Sequence, residues 1–337
     1  MSITLNDANI KAALAVIDSD GATLNEKIEM LIEMAGGLQK KPKSPQQLEN
    51  AIFLYNRGLE LCTPDYPLLQ ARCLSGMGTA LRTIPTEGEI LLLEAKNAYE
   101  TALPILEKHA SLEEVAELHM NMGVVLQELV PFQKATMQDA IKAYQKAAKI
   151  FTGENYPQEF SVLQNNIAIA YLSMPLALNK EEMRQAIAVQ SFEEALKWVT
   201  LVNYPNEYAM LKNNLANALH HLPTAHPIEN NLKSLAAYDE ALKVRNLQDT
   251  PIEWANTISN KASVLSNLPD DVEHVEIGNY NNLMQAKSYY QEAKKVFSKH
   301  GQWKQVEVVK NALEGLEMRL ESQYSSSTCS KELNSHD

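Results

Sequence analysis

One sequence pattern returns along most of this chain and limits what it can fold into. Its clearest copy begins at Tyr156 and reads YPQEFSVLQNNIAIAYLSMP. Related copies begin at Tyr66 (YPLLQARCLSGMGTALRTIP), at Tyr204 (YPNEYAMLKNNLANALHHLP) and at Thr250 (TPIEWANTISNKASVLSNLP). A weaker copy spans 111–131. The copies begin 45 to 48 residues apart. A segment that recurs at such an interval is typical of a solenoid, in which each unit packs only on its neighbours.

Each copy predicts an amphipathic helix. After Pro157, the side chains Phe160, Leu163, Ile167 and Ala170 recur at spacings of three and four, which indicates a buried stripe. A proline suits the first helical turn, where its missing N–H costs nothing. The pattern predicts first helices over 67–83, 112–129, 157–173, 205–221 and 251–267.

A second helix follows each copy and carries a signature of its own. A small residue is followed four positions later by an aromatic residue and three positions after that by another small residue, all on one helical face. The copies are Ala51–Tyr55–Gly58, Ala95–Tyr99–Ala102, Ala140–Tyr144–Ala147, Ala188–Phe192–Ala195, Ser234–Tyr238–Ala241 and Ala286–Tyr290–Ala293. They predict second helices over 88–108, 134–151, 180–200, 229–246 and 279–299, with the aromatic rings buried between units.

The ends of the chain predict caps. Helices are expected over 6–17, over 24–37 (ended by Gly36-Gly37), over 46–61 and over 302–322, and the Ser-rich segment after them predicts disorder. No stretch alternates as a β-strand does. The predicted organisation is an N-terminal cap at 1–21, a solenoid at 22–300, a C-terminal cap at 301–322 and a disordered tail at 323–337. The repeat units are expected near 22–64, 67–109, 112–153, 157–203, 205–249 and 251–300.

The first helices carry a small residue at matching places: Gly78, Gly123, Ala168, Ala216 and Ala262, which lie 45, 45, 48 and 46 residues apart. With these residues and the small–aromatic–small helix, the chain resembles tetratricopeptide-repeat (TPR) proteins with long repeats. The Asn-Asn-(Leu/Ile)-Ala core is similar to repeats of kinesin light chains and of bacterial, often cyanobacterial, TPR proteins. The resemblance implies an all-α, right-handed superhelix of about six helix pairs with capping helices at both ends.

Composition excludes several classes of partner. The net charge of −12 argues against nucleic acid and anionic membrane surfaces, because both need basic patches. The chain has no apolar run of about 18 residues, as a membrane span requires, and no secretory signal pattern at its start. Cys62, Cys73 and Cys329 show no disulfide or metal spacing. We therefore expect a cytoplasmic location.

A row of asparagines marks the candidate binding surface. Four of them stand two residues before a small residue of the first helices, and two more stand directly before members of that row; the six are Asn121, Asn166, Asn214, Asn260, Asn165 and Asn213. Asn is a poor helix former, so its recurrence needs a reason. Either the amides bind the backbone of an extended peptide in the concave groove that the resemblance implies, or they tie neighbouring helices together.

Other polar side chains fall on the same predicted face. Asn217 and His220 lie beside the row, and Arg72 and Arg82 lie towards its N-terminal end. The arginines could hold an acidic ligand group, or they could simply be solvated. His220 and His221 point about 100° apart on a helix and have no further metal ligand at suitable spacing, so we expect no metal.

No catalytic constellation or Gly-rich phosphate loop is visible, which predicts a protein that is not an enzyme and needs no cofactor. The leading hypothesis is a non-catalytic scaffold that binds a peptide or protein segment in its groove, with a use in complex assembly. The alternative is a regulatory sensor for a signalling peptide or a small ligand. The sequence leaves the partner's identity open, and the protein is either a monomer or a homodimer.

Overall fold

The computed structural model describes residues 8–17, 21–174, 181–223 and 226–333. Within those ranges the chain is helix and connecting loop, without a β-strand. The helices are α1 (Ala8–Ile17), α2 (Leu24–Lys40), α3 (Pro45–Leu61), α4 (Pro67–Thr83), α5 (Ile90–His109), α6 (Leu112–Leu129), α7 (Met137–Ala147), α8 (Pro157–Leu172), α9 (Glu181–Ala195), α10 (Pro205–His221), α11 (Pro227–Leu242), α12 (Pro251–Leu265), α13 (Tyr280–Lys299) and α14 (Trp303–Leu333). The prediction of an all-α fold is confirmed. Across this described part, no helix combines the length and the apolar composition that a membrane span requires.

The chain forms two compact units, Met1–Thr152 and Gly153–Asp337. In the first unit, α2 pairs with α3, α4 with α5 and α6 with α7. In the second unit the pairs are α8–α9, α10–α11 and α12–α13, and α14 packs on α13. The helices therefore pack in consecutive pairs, as the repeat predicts, and the division falls where the sequence predicts a boundary between repeat units.

Proline fixes the start of many of these helices. It occupies the first turn of α3, α4, α8, α10, α11 and α12. Its fixed φ suits that position, and the N–H that it lacks would have had no partner within the helix. The observed bounds of α4, α6 and α10 equal the predicted ones, while α8 and α12 end one and two residues early.

Helix α2 differs from the prediction, because it continues through Gly36-Gly37 to Lys40. Two glycines cost a helix about 1 kcal/mol each, but the additional turn carries Gln39. The Gln39 side-chain nitrogen donates to the Gly76 carbonyl at 2.6 Å, and the Tyr55 hydroxyl donates to the Gln39 side-chain oxygen at 3.1 Å. These contacts with α3 and α4 hold the last turn in place.

The C-terminal cap is longer than the sequence predicts. Helix α14 runs from Trp303 to Leu333, so the backbone of 323–333 is helical where the sequence predicts a disordered tail. No glycine or proline follows Gly315 to interrupt it. Residues 334–337 of that tail, and residues 1–7 of the N-terminal cap, lie outside the described ranges.

Aromatic rings of the second helices pack against the small residues of the first helices. Tyr99, Tyr144, Phe192, Tyr238 and Tyr290 are all buried, which confirms the prediction for the repeat signature. A Cβ at Gly123 would lie 2.4 Å from the Tyr144 ring, and one at Gly78 would lie 2.6 Å from the Tyr99 ring. Such separations are shorter than van der Waals contact, so glycine is needed at both places.

Candidate functional site

The predicted site residues all lie on first helices. In the first unit, Arg72 and Arg82 are on α4 and Asn121 is on α6. The remaining residues are in the second unit: Asn165 and Asn166 on α8, Asn213, Asn214, Asn217 and His220 on α10, and Asn260 on α12. Within each unit, the structure brings some of them into local groups.

Four asparagines of the second unit form a hydrogen-bonded series that we call the amide chain: Asn213, Asn214, Asn165 and Asn166. The Asn213 Nδ2 donates to Asn214 Oδ1 at 3.0 Å. The Asn214 Nδ2 donates across to Asn165 Oδ1 on α8 at 2.7 Å. The Asn165 Nδ2 then donates to Asn166 Oδ1 at 3.3 Å. The amide chain therefore joins α10 to α8 through side chains alone.

Burial differs along the amide chain. Asn165 and Asn213 are buried, whereas Asn166 and Asn214 are half-buried. A buried amide must be hydrogen-bonded to avoid a desolvation penalty, and both buried asparagines are. The bond between Asn214 and Asn165 is the interhelical tie that the second interpretation of the asparagines predicts. Asn166 ends the series, and its nitrogen takes no part in it.

Two residues that were not predicted from the sequence, Thr257 and Arg245, adjoin the amide chain. Thr257 Oγ1 lies 3.1 Å from Asn213 Oδ1 and 2.8 Å from the Glu253 carbonyl oxygen, and its single hydrogen serves one of them at a time. Arg245 Nη1 donates to the same hydroxyl oxygen at 2.9 Å. Burial lowers the pKa of Arg245, and Glu253 partly opposes that effect.

A sequence signal for Thr257 exists. It stands five residues before the small residue of its helix, and the equivalent positions hold Cys73, Leu118, Leu163 and Leu211. All five side chains are buried. A polar residue where the other copies are apolar needs a polar partner inside the structure, and Asn213 is that partner.

Asn217 and His220 contact neighbouring helices. The buried Tyr238 hydroxyl donates to Asn217 Oδ1 at 2.6 Å, and burial raises the pKa of Tyr238. His220 Nδ1 lies 2.8 Å from Asn231 Oδ1, and its Nε2 lies 3.4 Å from Ser263 Oγ. Both side chains therefore have hydrogen-bond partners on α11 or α12 within the protein. The hypothesis that they bind a peptide in a groove does not account for these partners.

The first unit contains a cleft of about 290 Å³ that Arg72 and Asn121 line together with Gln39, Tyr55 and Glu117. Arg72 is held by a bidentate ion pair with Glu114: Nε to Oε2 and Nη2 to Oε1 are both 2.8 Å. The hydrogen bond from Arg72 lowers the pKa of Glu114 despite its partial burial. The Arg72 charge is therefore already balanced within the unit.

Arg82 also faces an acid of its own unit. Its Nη1 lies 3.6 Å from Glu128 Oε1. Burial raises the pKa of Glu128, and Arg82 partly opposes that effect. Sequence reasoning had no means of finding either ion pair, because Glu114 and Glu128 lie on the next first helix.

Asn260 lies in a third place, a cleft of about 300 Å³ near the end of the second unit. Asn256, Ser259 and Asn260 of α12 line it, facing Lys304 and Gln305 of α14. Helix α14, predicted from the sequence only as a cap, therefore contributes side chains to this cleft. Asn256 could have been found, because residues four apart share a helical face.

Ligands for a metal are not assembled in the described ranges: no three His, Cys, Asp or Glu side chains there lie close enough to hold one. The His220 and His221 rings are 4.7 Å apart and tilted by 49°. Burial lowers the pKa of His221, as does nearby His220.

Comparison with known proteins gives a structural likeness only. No family model matches the sequence, and no curated protein matches it. The TPR2AB domain of yeast Sti1 in complex with pHSP90 aligns with 87% of this chain and 99% of its own, at 16% identity and a TM-score of 0.31. A Rap protein complexed with Competence and Sporulation Factor aligns with 93% of this chain and 98% of its own, at 10% identity and a TM-score of 0.42. Both TM-scores are low, so the fold assignment rests on the helices described above.

Proposed function

We propose that this protein is a non-catalytic interaction scaffold whose second unit binds an extended peptide or protein segment along α8, α10 and α12. The observation that carries the proposal is the amide chain, which places half-buried Asn166 and Asn214 on two adjacent first helices. A side-chain amide has two donor hydrogens and an acceptor oxygen with two lone pairs. The bonds within the chain use one hydrogen of each donating nitrogen, which leaves capacity for a ligand.

An extended backbone is the ligand that suits such amides. It presents N–H and C=O groups repeatedly, and each group that leaves water must be paired or costs about 1–3 kcal/mol. Amides held in place by neighbours lose little side-chain entropy when they bind. Residues outside the repeat, such as Asn256 and Lys304 in the terminal cleft, would then give specificity.

The proposal is tested with peptides selected from a displayed random library on the intact protein. Asn166→Ala should lower the affinity for the selected peptides about twofold to tenfold, which corresponds to the loss of one hydrogen bond. Asn203→Ala, which removes an exposed asparagine from the loop before α10, should leave the affinity unchanged. A peptide that is N-methylated at the residue contacting Asn166 cannot donate that hydrogen bond. Wild type and Asn166→Ala should therefore bind the methylated peptide with equal affinity, because the methylation and the substitution remove the same bond.

Equal affinity for wild type and Asn166→Ala would show that the asparagines act only as ties between helices. Circular dichroism of each variant checks that the helices are intact.

A second part of the proposal concerns location: the free thiols of Cys62 and Cys73 support a protein that works in a reducing compartment such as the cytoplasm.

A further inference from the structure

The loop between α12 and α13, residues 266–279, exposes apolar side chains although it is firmly held. Val272, Val275 and Ile277 all lie at the surface, Val275 with 52% and Ile277 with 64% of its area exposed. Single exposed apolar residues are ordinary on a protein surface, but a group within a few positions marks an interaction site.

The loop is closed by hydrogen bonds of its own backbone and of its ends. The Asp270 N–H donates to the Gly278 carbonyl at 2.7 Å, and Gly278 has φ of 90°, which favours glycine. The Asp270 carboxylate accepts from the backbone N–H groups of Asn281 and Asn282, both at 2.8 Å, at the start of α13. The Asn282 side chain donates to the carbonyls of Leu268 and Pro269. The exposure of Val275 and Ile277 is therefore built into an ordered loop.

A cleft of about 440 Å³ adjoins this loop. Val272 lines it together with Ile228 and Leu232 of α11, and His226, Pro227 and Glu229 complete the lining. Leu232 keeps 44% of its area exposed. We call the cleft and the exposed loop residues together the loop surface: Ile228, Leu232, Val272, Val275 and Ile277.

The loop surface is bordered by negative charge. Asp270, Asp271, Glu273 and Glu276 lie within the loop, Glu229 lines the cleft, and no Lys or Arg occurs from 262 to 286. Two cations of other helices lie nearby: Lys233 pairs with Glu229 at 2.7 Å, and Arg319 Nη2 donates to the Ser266 carbonyl at 2.7 Å. Acidic side chains therefore outnumber basic ones around the loop surface. Asp270 caps α13, and Asp271 Oδ2 lies 3.0 Å from His274 Nδ1. Glu273 and Glu276 have exposed side chains. The whole chain carries a charge of −12, so a second copy or an anionic lipid surface would be repelled here.

We propose that the loop surface is a docking site for an amphipathic helix of a partner protein with Lys or Arg residues flanking its apolar face. Such a helix places apolar side chains at spacings of three, four and seven, which can enter a cleft. Its basic flanks would meet Glu273 and Glu276, and that complementarity selects the partner and speeds its association. The site uses no residue of the amide chain.

The test uses a fluorescein-labelled synthetic helix of Leu on one face and Lys on its flanks, with binding to the full chain followed by anisotropy. The double variant Val272→Ser/Ile277→Ser should weaken binding at least about tenfold, because apolar burial is lost. Glu273→Gln/Glu276→Gln should weaken it about twofold to fivefold at low salt and have little effect at high salt. Val202→Ser removes an exposed apolar side chain from the α9–α10 loop and should change nothing.

Three results would overturn the proposal. The first is that the Val272→Ser/Ile277→Ser variant binds the synthetic helix as tightly as wild type does. The second is that a helix with Glu instead of Lys on its flanks binds equally well. The third is that the wild-type protein self-associates in sedimentation velocity and that the Val272→Ser/Ile277→Ser variant does not. Thermal melting confirms that the variants remain folded. Asn166→Ala should bind this synthetic helix as well as wild type does, so failure here is separate from failure of the proposed peptide groove.

Discussion

At the scale of single residues, the two ends of the amide chain should contribute differently to stability. Asn165 is buried and accepts the hydrogen bond from Asn214 on the next first helix, whereas Asn166 is half-buried and ends the series. Asn165→Ala should lower the free energy of unfolding by about 1–3 kcal/mol, because it leaves the Asn214 amide without its partner. Asn166→Ala should lower it by less, about 0.5–1.5 kcal/mol, because it removes only the hydrogen bond that Asn165 Nδ2 donates, whereas Asn165→Ala breaks two bonds of the amide chain.

Urea denaturation of the two single variants measures this difference. The two positions are adjacent in α8 and both substitutions raise helix propensity by the same amount, so each variant is the control for the other. Equal loss of stability from the two substitutions would contradict the division of the amide chain into a buried tie at Asn165 and a half-buried end at Asn166.

At the scale of elements, an ion pair joins α4 to α6. The Arg72 hydrogen bonds hold the pKa of Glu114 below its ordinary value of 4.5. A carboxylate with a lowered pKa stabilises the fold above the unfolded-state value, and this contribution disappears as the pH falls through the lowered pKa. Wild type should therefore be more stable than Glu114→Gln at pH 7, and the difference should shrink as the pH falls below about 4.

Denaturant melts of both proteins over that pH range make the comparison. Glu94→Gln is a suitable control, because Glu94 is an exposed acid on α5. A stability difference between wild type and Glu114→Gln that stays constant with pH would exclude the ion pair as its cause.

The elements that depend on local signals were predictable from the sequence. Proline and the repeat fixed where α4, α8 and α10 begin. The end of α2 was not predictable, because contacts of Gln39 with Tyr55 and Gly76 decide it.

The candidate site was predictable only in part. Asn165 and Asn213 stand three residues before buried Ala168 and Ala216, so the sequence places each pair on one helical face. Their hydrogen bonds come from other helices, as does the contact of Arg245 with Thr257. Repeat spacing alone does not determine such contacts between helices.

At the scale of the whole molecule, each unit has buried clusters of its own. Phe192 packs with Ala168, Val199 and Leu211 in the second unit. Tyr99 packs with Leu106 and Leu118 in the first. In repeat proteins stability is the sum of local and nearest-neighbour terms, so we expect the loss of a buried ring to be felt near its own helix pair.

Phe192→Ala should lower the free energy of unfolding by about 3–5 kcal/mol, the usual cost of truncating a core aromatic residue. Hydrogen exchange followed by mass spectrometry should show lost protection in α8, α9 and α10, with the amides of α4 and α5 still protected. Tyr99→Ala should give the reverse pattern and serves as the matched control. If either substitution removed protection equally from all of these helices, the chain would unfold as one cooperative body, and the local packing inferred from the repeat would not govern its stability.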